Sequence, residues 1–360
     1  MHISNLLSVA SLAALAAAAP SELERRQQNC VITDFNKIAG LSKYCDVIAL
    51  RNIHVPAGQS LDLTNLKEGA HIIFEGRTTF GYAEWDGPLI KVSGKHITVR
   101  QSSGSVLDGE GERWWDYHGG NGGKTKPHFF SAHNLDDSRI EGLKVKNTPV
   151  HGFSLDSKNL VVSGVTIDNS DGDNKGAYNT DAFDVAHSYN LTIENAWVHN
   201  QDDCLAINQG DNIRFINGYC YGSHDLSIGS VGNGDVVSNV EITDSQIVNS
   251  QNGVRIKTKS GQAGEVRNIT FRNISLTNIT DYGLIVQQDY NNPGHATNGI
   301  KIHDITFDNI HGTALQKGYN IALYCGDGSC YNWSWKNVKI HGARDYKCQN
   351  YPSVASCSAA

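Results

Sequence analysis

The chain has 360 residues, 36 of them glycine and only 7 proline, and a formal net charge of -7 at pH 7. An acidic chain without a basic stripe is not built to hold nucleic acid. Its length exceeds that of an ordinary single domain, yet no linker, charge block or low-complexity tract divides it.

At the amino terminus, the run from Leu6 to Ala19 is almost wholly apolar, ends in small residues and is too short for a comfortable membrane span. It reads as a secretory signal peptide over residues 1–19, although no Lys or Arg precedes it. Arg25-Arg26 then resembles a dibasic processing site, which makes 20–26 a propeptide and 27–360 one mature domain. The expected product is secreted and extracellular, monomeric, and not membrane-bound.

Beyond the leader the chain is a series of repeats. Strand-like openings recur at His96-Ile97-Thr98-Val99, Asn159-Leu160-Val161-Val162, Asn190-Leu191-Thr192-Ile193, Asn212-Ile213-Arg214-Phe215, Asn239-Val240-Glu241-Ile242 and Asn268-Ile269-Thr270-Phe271. A second series consists of apolar i, i+2 pairs: Phe183 and Val185, Leu205 and Ile207, Leu226 and Ile228, Val254 and Ile256, Leu284 and Val286. Each pair suits a half-buried strand. Their first members fall at intervals of 22, 21, 28 and 30 residues, the period of a solenoid. Abundant glycine with little proline fits many short strands joined by turns of unusual backbone angle. No long helical periodicity competes, and the expected fold is all-β: a single-domain, right-handed parallel β-helix.

Eight cysteines stand at 30, 45, 204, 220, 325, 330, 348 and 357, which in principle allow 105 pairings. Proximity along the chain suggests Cys30 with Cys45, Cys204 with Cys220, Cys325 with Cys330, and Cys348 with Cys357. The rival reading is a zinc site, but no two cysteines have C-x2-C spacing. No metal and no cofactor are expected. Five sequons begin at Asn190, Asn268, Asn273, Asn278 and Asn332. Several lie in strand-like Asn-Ile-Thr segments where the residues can simply stack on neighbouring coils, so glycan is expected at only some.

Two positions before each apolar pair stand Asp181, Asp203, His224, Asn252 and Tyr282, with Asp202 beside Asp203. Arg255 and Lys257 take the outward positions of the fourth rung. Rungs about 4.8 Å apart would bring these scattered polar groups to one face, where carboxylates can be paired to cleave a sugar linkage. Crowded carboxylates push one another's pKa values apart, so a proton donor and an ionised neighbour can coexist.

Asn179-Thr180-Asp181, Gln201-Asp202-Asp203, Ser223-His224-Asp225 and Arg255-Ile256-Lys257 resemble, in order, the four signatures of glycoside hydrolase family 28, the polygalacturonases. Further likeness to the fungal endo-acting members lies in Asp281-Tyr282-Gly283 through Gln288-Asp289-Tyr290 and in the tail from Tyr351 to Cys357. The resemblance covers essentially the whole mature chain. It implies hydrolysis of α-1,4 linkages in de-esterified pectin with inversion and an acidic pH optimum, and it implies plant inhibitor proteins as partners besides the pectin substrate. Asp202 would be the general acid, with Asp181 and Asp203 activating water and His224 close to the acid and the sugar. Arg255 and Lys257 would bind substrate carboxylates, and Tyr290 and Asn179 would also contact substrate.

One departure stands out. The family's Gly-His-Gly is here Ser223-His224-Asp225, and Asp225 falls in register with the small residues Ala182, Cys204, Gly253 and Gly283. Its parity matches Arg255 and Lys257, so it is expected to face the cleft, pairing with Arg255 or repelling a substrate carboxylate. The alternatives are an exo-acting polygalacturonase, a xylogalacturonan or rhamnogalacturonan hydrolase, a pectate lyase, or a catalytically impaired pectin-binding relative. The intact acids argue against the last, and the absence of a dedicated calcium loop argues against the lyase.

Overall fold

The computed structural model describes residues 29–358. The signal-peptide and propeptide segments expected over 1–26 lie outside the described residues. One ten-stranded sheet carries most of the later argument. Its strands are β1 (Leu61–Leu63), β2 (Ile90–Lys95), β3 (Phe130–Asp136), β4 (Phe153–Asp156), β5 (Phe183–Val185), β6 (Leu205–Ile207), β7 (Leu226–Val231), β8 (Asn252–Thr258), β9 (Tyr282–Gln287) and β10 (Tyr319–Tyr324). They pair in chain order and in parallel. The remaining strands form a twenty-stranded system that supplies the other walls, and the chain is the expected right-handed parallel β-helix.

The i, i+2 pattern explains the register. Phe183, Leu205, Leu226, Val254 and Leu284 stack one above another, as do Val185, Ile207, Ile228, Ile256 and Val286. All ten are fully buried, and each Val-, Leu- or Phe-sized side chain removed from water contributes about 1.5–3 kcal/mol. A one-residue slip would turn every one of them outward. Phe130, Phe153 and Phe183 continue the inner row as a ring stack with centroids 4.9 and 5.5 Å apart.

Asparagine makes the turns. Asn159, Asn190, Asn212, Asn239, Asn268, Asn273, Asn278 and Asn332 all have φ between 50° and 60°, a left-handed conformation that asparagine tolerates better than other residues with a Cβ. Their side chains form ladders between coils. The Asn190 amide donates to Asn159 at 2.8 Å, that of Asn268 to Asn239 at 2.6 Å, that of Asn273 to Asp244 at 2.8 Å and that of Asn278 to Asn249 at 3.1 Å, while Asn332 donates to Asp304. Every sequon asparagine is thus a ladder rung. Asn268→Ala removes both the rung and the turn preference and is expected to cost about 1–2 kcal/mol, whereas Asn268→Gly, which keeps the turn, should cost less. Urea denaturation midpoints check the order.

The four expected disulfides are present, with Cα separations of 6.0 to 6.3 Å. They remove the thiolates a zinc site would need. Beyond β10 the chain lies along that last strand: Asn320 N–H donates to Arg344 C=O and Gln349 N–H to Leu323 C=O, each at 2.9 Å. The Cys348–Cys357 bond closes this tail into a loop.

Candidate active site

The acids gather because the ladder of interstrand hydrogen bonds continues past the strand entrances. Ala182 N–H donates to Asp203 C=O at 2.8 Å, Cys204 N–H to Asp225 C=O at 2.9 Å, His224 N–H to Asp202 C=O at 2.7 Å and Asn252 N–H to His224 C=O at 2.6 Å. Asn200 tightens the bend from within. Its buried amide donates to the carbonyls of Thr180, Asp202 and Asp203 at 2.9, 3.0 and 3.0 Å, and its oxygen accepts from Ser223 Oγ at 2.5 Å. The Cys204–Cys220 disulfide anchors the same turn from behind.

The result is a groove of about 790 Å³ whose walls include Asp181, Asp184, Asp202, Asp203, His224 and Arg255, with Lys257, Tyr290 and Asn179 also lining it. Every residue expected in catalysis or substrate contact therefore faces one groove. It runs from the entrance of β3 to beyond β9, six interstrand steps or roughly 29 Å at ~4.8 Å each.

The acids differ in environment. Asp202 Oδ1 accepts from Asp203 N–H at 2.8 Å and lies 3.0 Å from His224 Nδ1, and its Oδ2 accepts from the Asn179 amide at 3.0 Å. Burial pushes Asp202 up, but the His224 contact, the Asp203 N–H and the charge of Lys257 outweigh it and hold the carboxyl below its ordinary pKa. Burial raises Asp181 well above the ordinary value, and the charges of Asp184, Asp202 and Asp203 add to it. Burial, then the charge of Asp225, does the same to Asp203 against the pull of Lys257. The shifts thus run upward for Asp181 and Asp203 and downward for Asp202. That is the reverse of a simple acid-and-base division among the three.

Both expected substrate cations are already engaged. Lys257 Nζ donates to Asp203 Oδ2 at 2.6 Å. Arg255 donates from Nη1 to Asp225 Oδ2 at 3.0 Å, and from Nε and Nη2 to Gln287 Oε1 at 3.1 and 2.8 Å. Tyr290 lies 5.2 Å from the Arg255 guanidinium and 5.4 Å from the Lys257 ammonium, measured to its ring centroid, a cation–π geometry. The expected Asp225–Arg255 pair is present, but the expectation that Asp225 faces the cleft is corrected: it is fully buried. Strand parity gives the side of the sheet, not the depth.

Several groove residues carry no motif. Asp184 sits in a cross-strand row with Ala206, Ser227 and Arg255, and burial with the charge of Asp202 raises its pKa to about 7. Its outward place between Phe183 and Val185 was the available signal. His151 lies 3.4 Å from Asp184 and 3.8 Å from Asp181, edge-on to His128, and burial followed by the charge of His128 lowers it to about 4. Gly119 to Lys126 form a further wall that is pinned to Asn179, whose oxygen accepts from Gly120 N–H at 3.0 Å and from the Asn121 amide at 3.1 Å. Asp202, Asp203 and His224 bring one donor atom each within 4.8 Å of one another. The His224–Asp202 contact and the Lys257 ammonium at Asp203 occupy those donors, so a cation is already built in.

Comparison with known proteins adds three findings. A family model described as "Glycosyl hydrolases family 28" matches residues 45–357. The chain is 53% identical over 366 residues to an endopolygalacturonase B of Aspergillus niger, covering 99% of this chain and all of that one. Among solved structures, it resembles an endopolygalacturonase I from Stereum purpureum complexed with two galacturonate (TM-score 0.81, 30% identity, 90% of this chain and 97% of that one). It also resembles an endo-xylogalacturonan hydrolase from Aspergillus tubingensis (TM-score 0.80, 27% identity, 91% and 96%).

Proposed function

Because the chain belongs to glycosyl hydrolases family 28 and is a glycosidase, we propose that it cleaves α-1,4-galacturonosidic linkages inside polygalacturonate, with inversion at the anomeric carbon. The observation that carries this reading is the convergence of Asp181, Asp202 and Asp203 with Arg255 and Lys257 in one groove. Asp202 protonates the leaving oxygen, while Asp181 and Asp203 position the attacking water and take its proton.

The electrostatics shape how this works. Asp202 and His224, 3.0 Å apart, act as a pair that carries the acid's proton, and a polyanionic chain filling the groove raises Asp202 by adding negative charge and excluding water. Asn179 holds Asp202 in place from the wall loop. Arg255, Lys257 and Tyr290 form the seat for a sugar carboxylate. Its attraction to them must be local, because the chain as a whole is acidic. A groove roughly 29 Å long at ~4.8 Å per strand seats a run of sugar rings, which supports internal rather than terminal attack.

Four disulfides support folding in an oxidising, secretory compartment. The likeness to the endo-xylogalacturonan hydrolase supports one second reading, a galacturonan backbone bearing side sugars.

A time course on polygalacturonate and on xylogalacturonan tests both. The expected result is an early fall in viscosity with mixed oligomers from the unsubstituted polymer. Release of mostly monomer or dimer would overturn internal attack, and a preference for the substituted polymer would favour the second reading.

A further inference from the structure

Two buried carboxylates beneath the groove each leave one oxygen without a partner. Asp203 Oδ2 is committed to Lys257, and Asp225 Oδ2 accepts from Arg255 at 3.0 Å and from the Asn252 amide at 3.2 Å. The other oxygen of each, Asp203 Oδ1 and Asp225 Oδ1, is buried with no donor to accept from. Two orphaned carboxylate oxygens on adjoining coils are costly. Cys204 N–H donates to Asp225 C=O at 2.9 Å, so the two aspartates sit side by side on adjoining coils.

The position is unusual within the fold. Asp225 belongs to a cross-strand row in which the two members on either side, Ala182 and Cys204, Gly253 and Gly283, are small. A Cβ on Gly253 would already lie 2.3 Å from Gly283 C=O. A carboxylate in this row has no route to water and must find its partners among the groups around it.

We propose that Asp225 and Asp203 share one proton, and that this pair sets the acid limit of the enzyme's working pH. The inference rests on the function proposed above, in which Asp203 serves the attacking water. One proton makes one carboxyl a donor and the other an acceptor, which satisfies both orphaned oxygens. While it is held, Asp203 is not a free base. As pH rises the proton passes to solvent, leaving two carboxylates opposite Lys257 and Arg255, a balanced set of two anions and two cations.

The charged groups facing the pair come from every neighbouring element. Asp181 and Asp184 lie on the preceding coil, Asp202 on the Asp203 turn, His224 beside Asp225, and Arg255 and Lys257 on the following strand with Tyr290 above them. Of these charges, that of Asp225 adds most, after burial, to the rise in the Asp203 pKa. The lift from Asp225 is thus added to that from Asp202 and opposed by Lys257.

Asp225→Asn is the test, because the amide is nearly isosteric and can donate to Asp203 Oδ1 without titrating. The acid limb of kcat/KM on polygalacturonate is expected to move down by about one pH unit, since removing a like charge lets Asp203 ionise earlier. An active variant whose limb stays put, with the rate changed equally at every pH, would mean a merely structural role and overturn the proposal. An unmodified protein inert on polygalacturonate at every pH would instead sink the assigned function.

In that case, or if the variant is inactive, thermal midpoints against pH decide. A carboxyl whose folded pKa is raised loses stability as pH climbs from the ordinary carboxylate value, about 4, through the folded one. That loss should be shallower in Asp225→Asn, and equal slopes in the two proteins would refute the shared proton.

Discussion

Asp202→Asn should lower kcat on polygalacturonate by about a thousandfold, within the range of roughly 10²–10⁴ that a positioned general acid contributes. The substitution keeps an acceptor oxygen for the Asp203 N–H that now reaches Asp202 at 2.8 Å, so the turn should hold and the melting temperature should move little. Binding should survive, because the cations and the aromatic ring at the carboxylate seat are untouched. The comparison to make is single-turnover rate against affinity for an uncleaved oligogalacturonide. A variant retaining more than a tenth of the rate would remove Asp202 from the role of acid and leave the His224 side of the pair to supply the proton. The case is informative because the resting pKa of Asp202 is held low by its hydrogen bonds, so its acidity has to be created by the bound substrate.

Lys257→Met should damage both stability and catalysis. Lys257 is buried and its ammonium lies 2.6 Å from Asp203; burial lowers its pKa, but the charges of Asp225 and Asp203 more than reverse that. Removing one partner of a buried ion pair costs about 3–5 kcal/mol because the other charge is left without compensation. The cost depends on pH in a definite direction. Asp203 already has a raised folded pKa, and without the lysine it rises further, so in acid the carboxyl is protonated in folded and unfolded states alike and the loss is small. Above the ordinary carboxylate value the unfolded chain ionises and both proteins lose stability alike; the deficit opens once pH passes the raised folded pKa of Asp203 in the unmodified protein and grows until the variant's Asp203 also releases its proton. Denaturation midpoints collected from acid to neutral pH should therefore diverge from those of the unmodified protein as pH rises. A deficit that is constant across the range would show that the lysine matters for packing and not for charge.

The parts of this molecule that repeat were legible before any coordinates. Phe183, Leu205, Leu226, Val254 and Leu284 needed only a spacing to be placed above one another, because a buried inner face allows one register. The acids just ahead of them followed, since a fixed offset from a stacked residue is itself stacked. What depends on side-chain direction at a bend was not legible. Asp225 shares parity with Arg255 yet is sealed from solvent, and the small residues in its row gave the hint of restricted space without saying which way a larger side chain would be forced. Asp184 has the same outward parity as Arg255 but belongs to no motif that was read for function. His128, His151 and the wall from Gly119 to Lys126 come from connections whose lengths vary from coil to coil, so no period predicts that they close over the groove. Asn200 was likewise hidden, because its importance lies in three carbonyls that only the finished turn brings to its amide.

The segment lying along β10 bears on how the molecule behaves among its own copies. A stack of parallel coils ends, by construction, in a strand with unmet backbone donors and acceptors, and such rims recruit whatever extended chain comes near. Here Arg344 and Gln349 meet that rim in cis, and the Cys348–Cys357 loop keeps them there. The covalent clasp formed by Cys348 and Cys357 thus leaves that rim paired within its own chain, where a second solenoid would otherwise find it open.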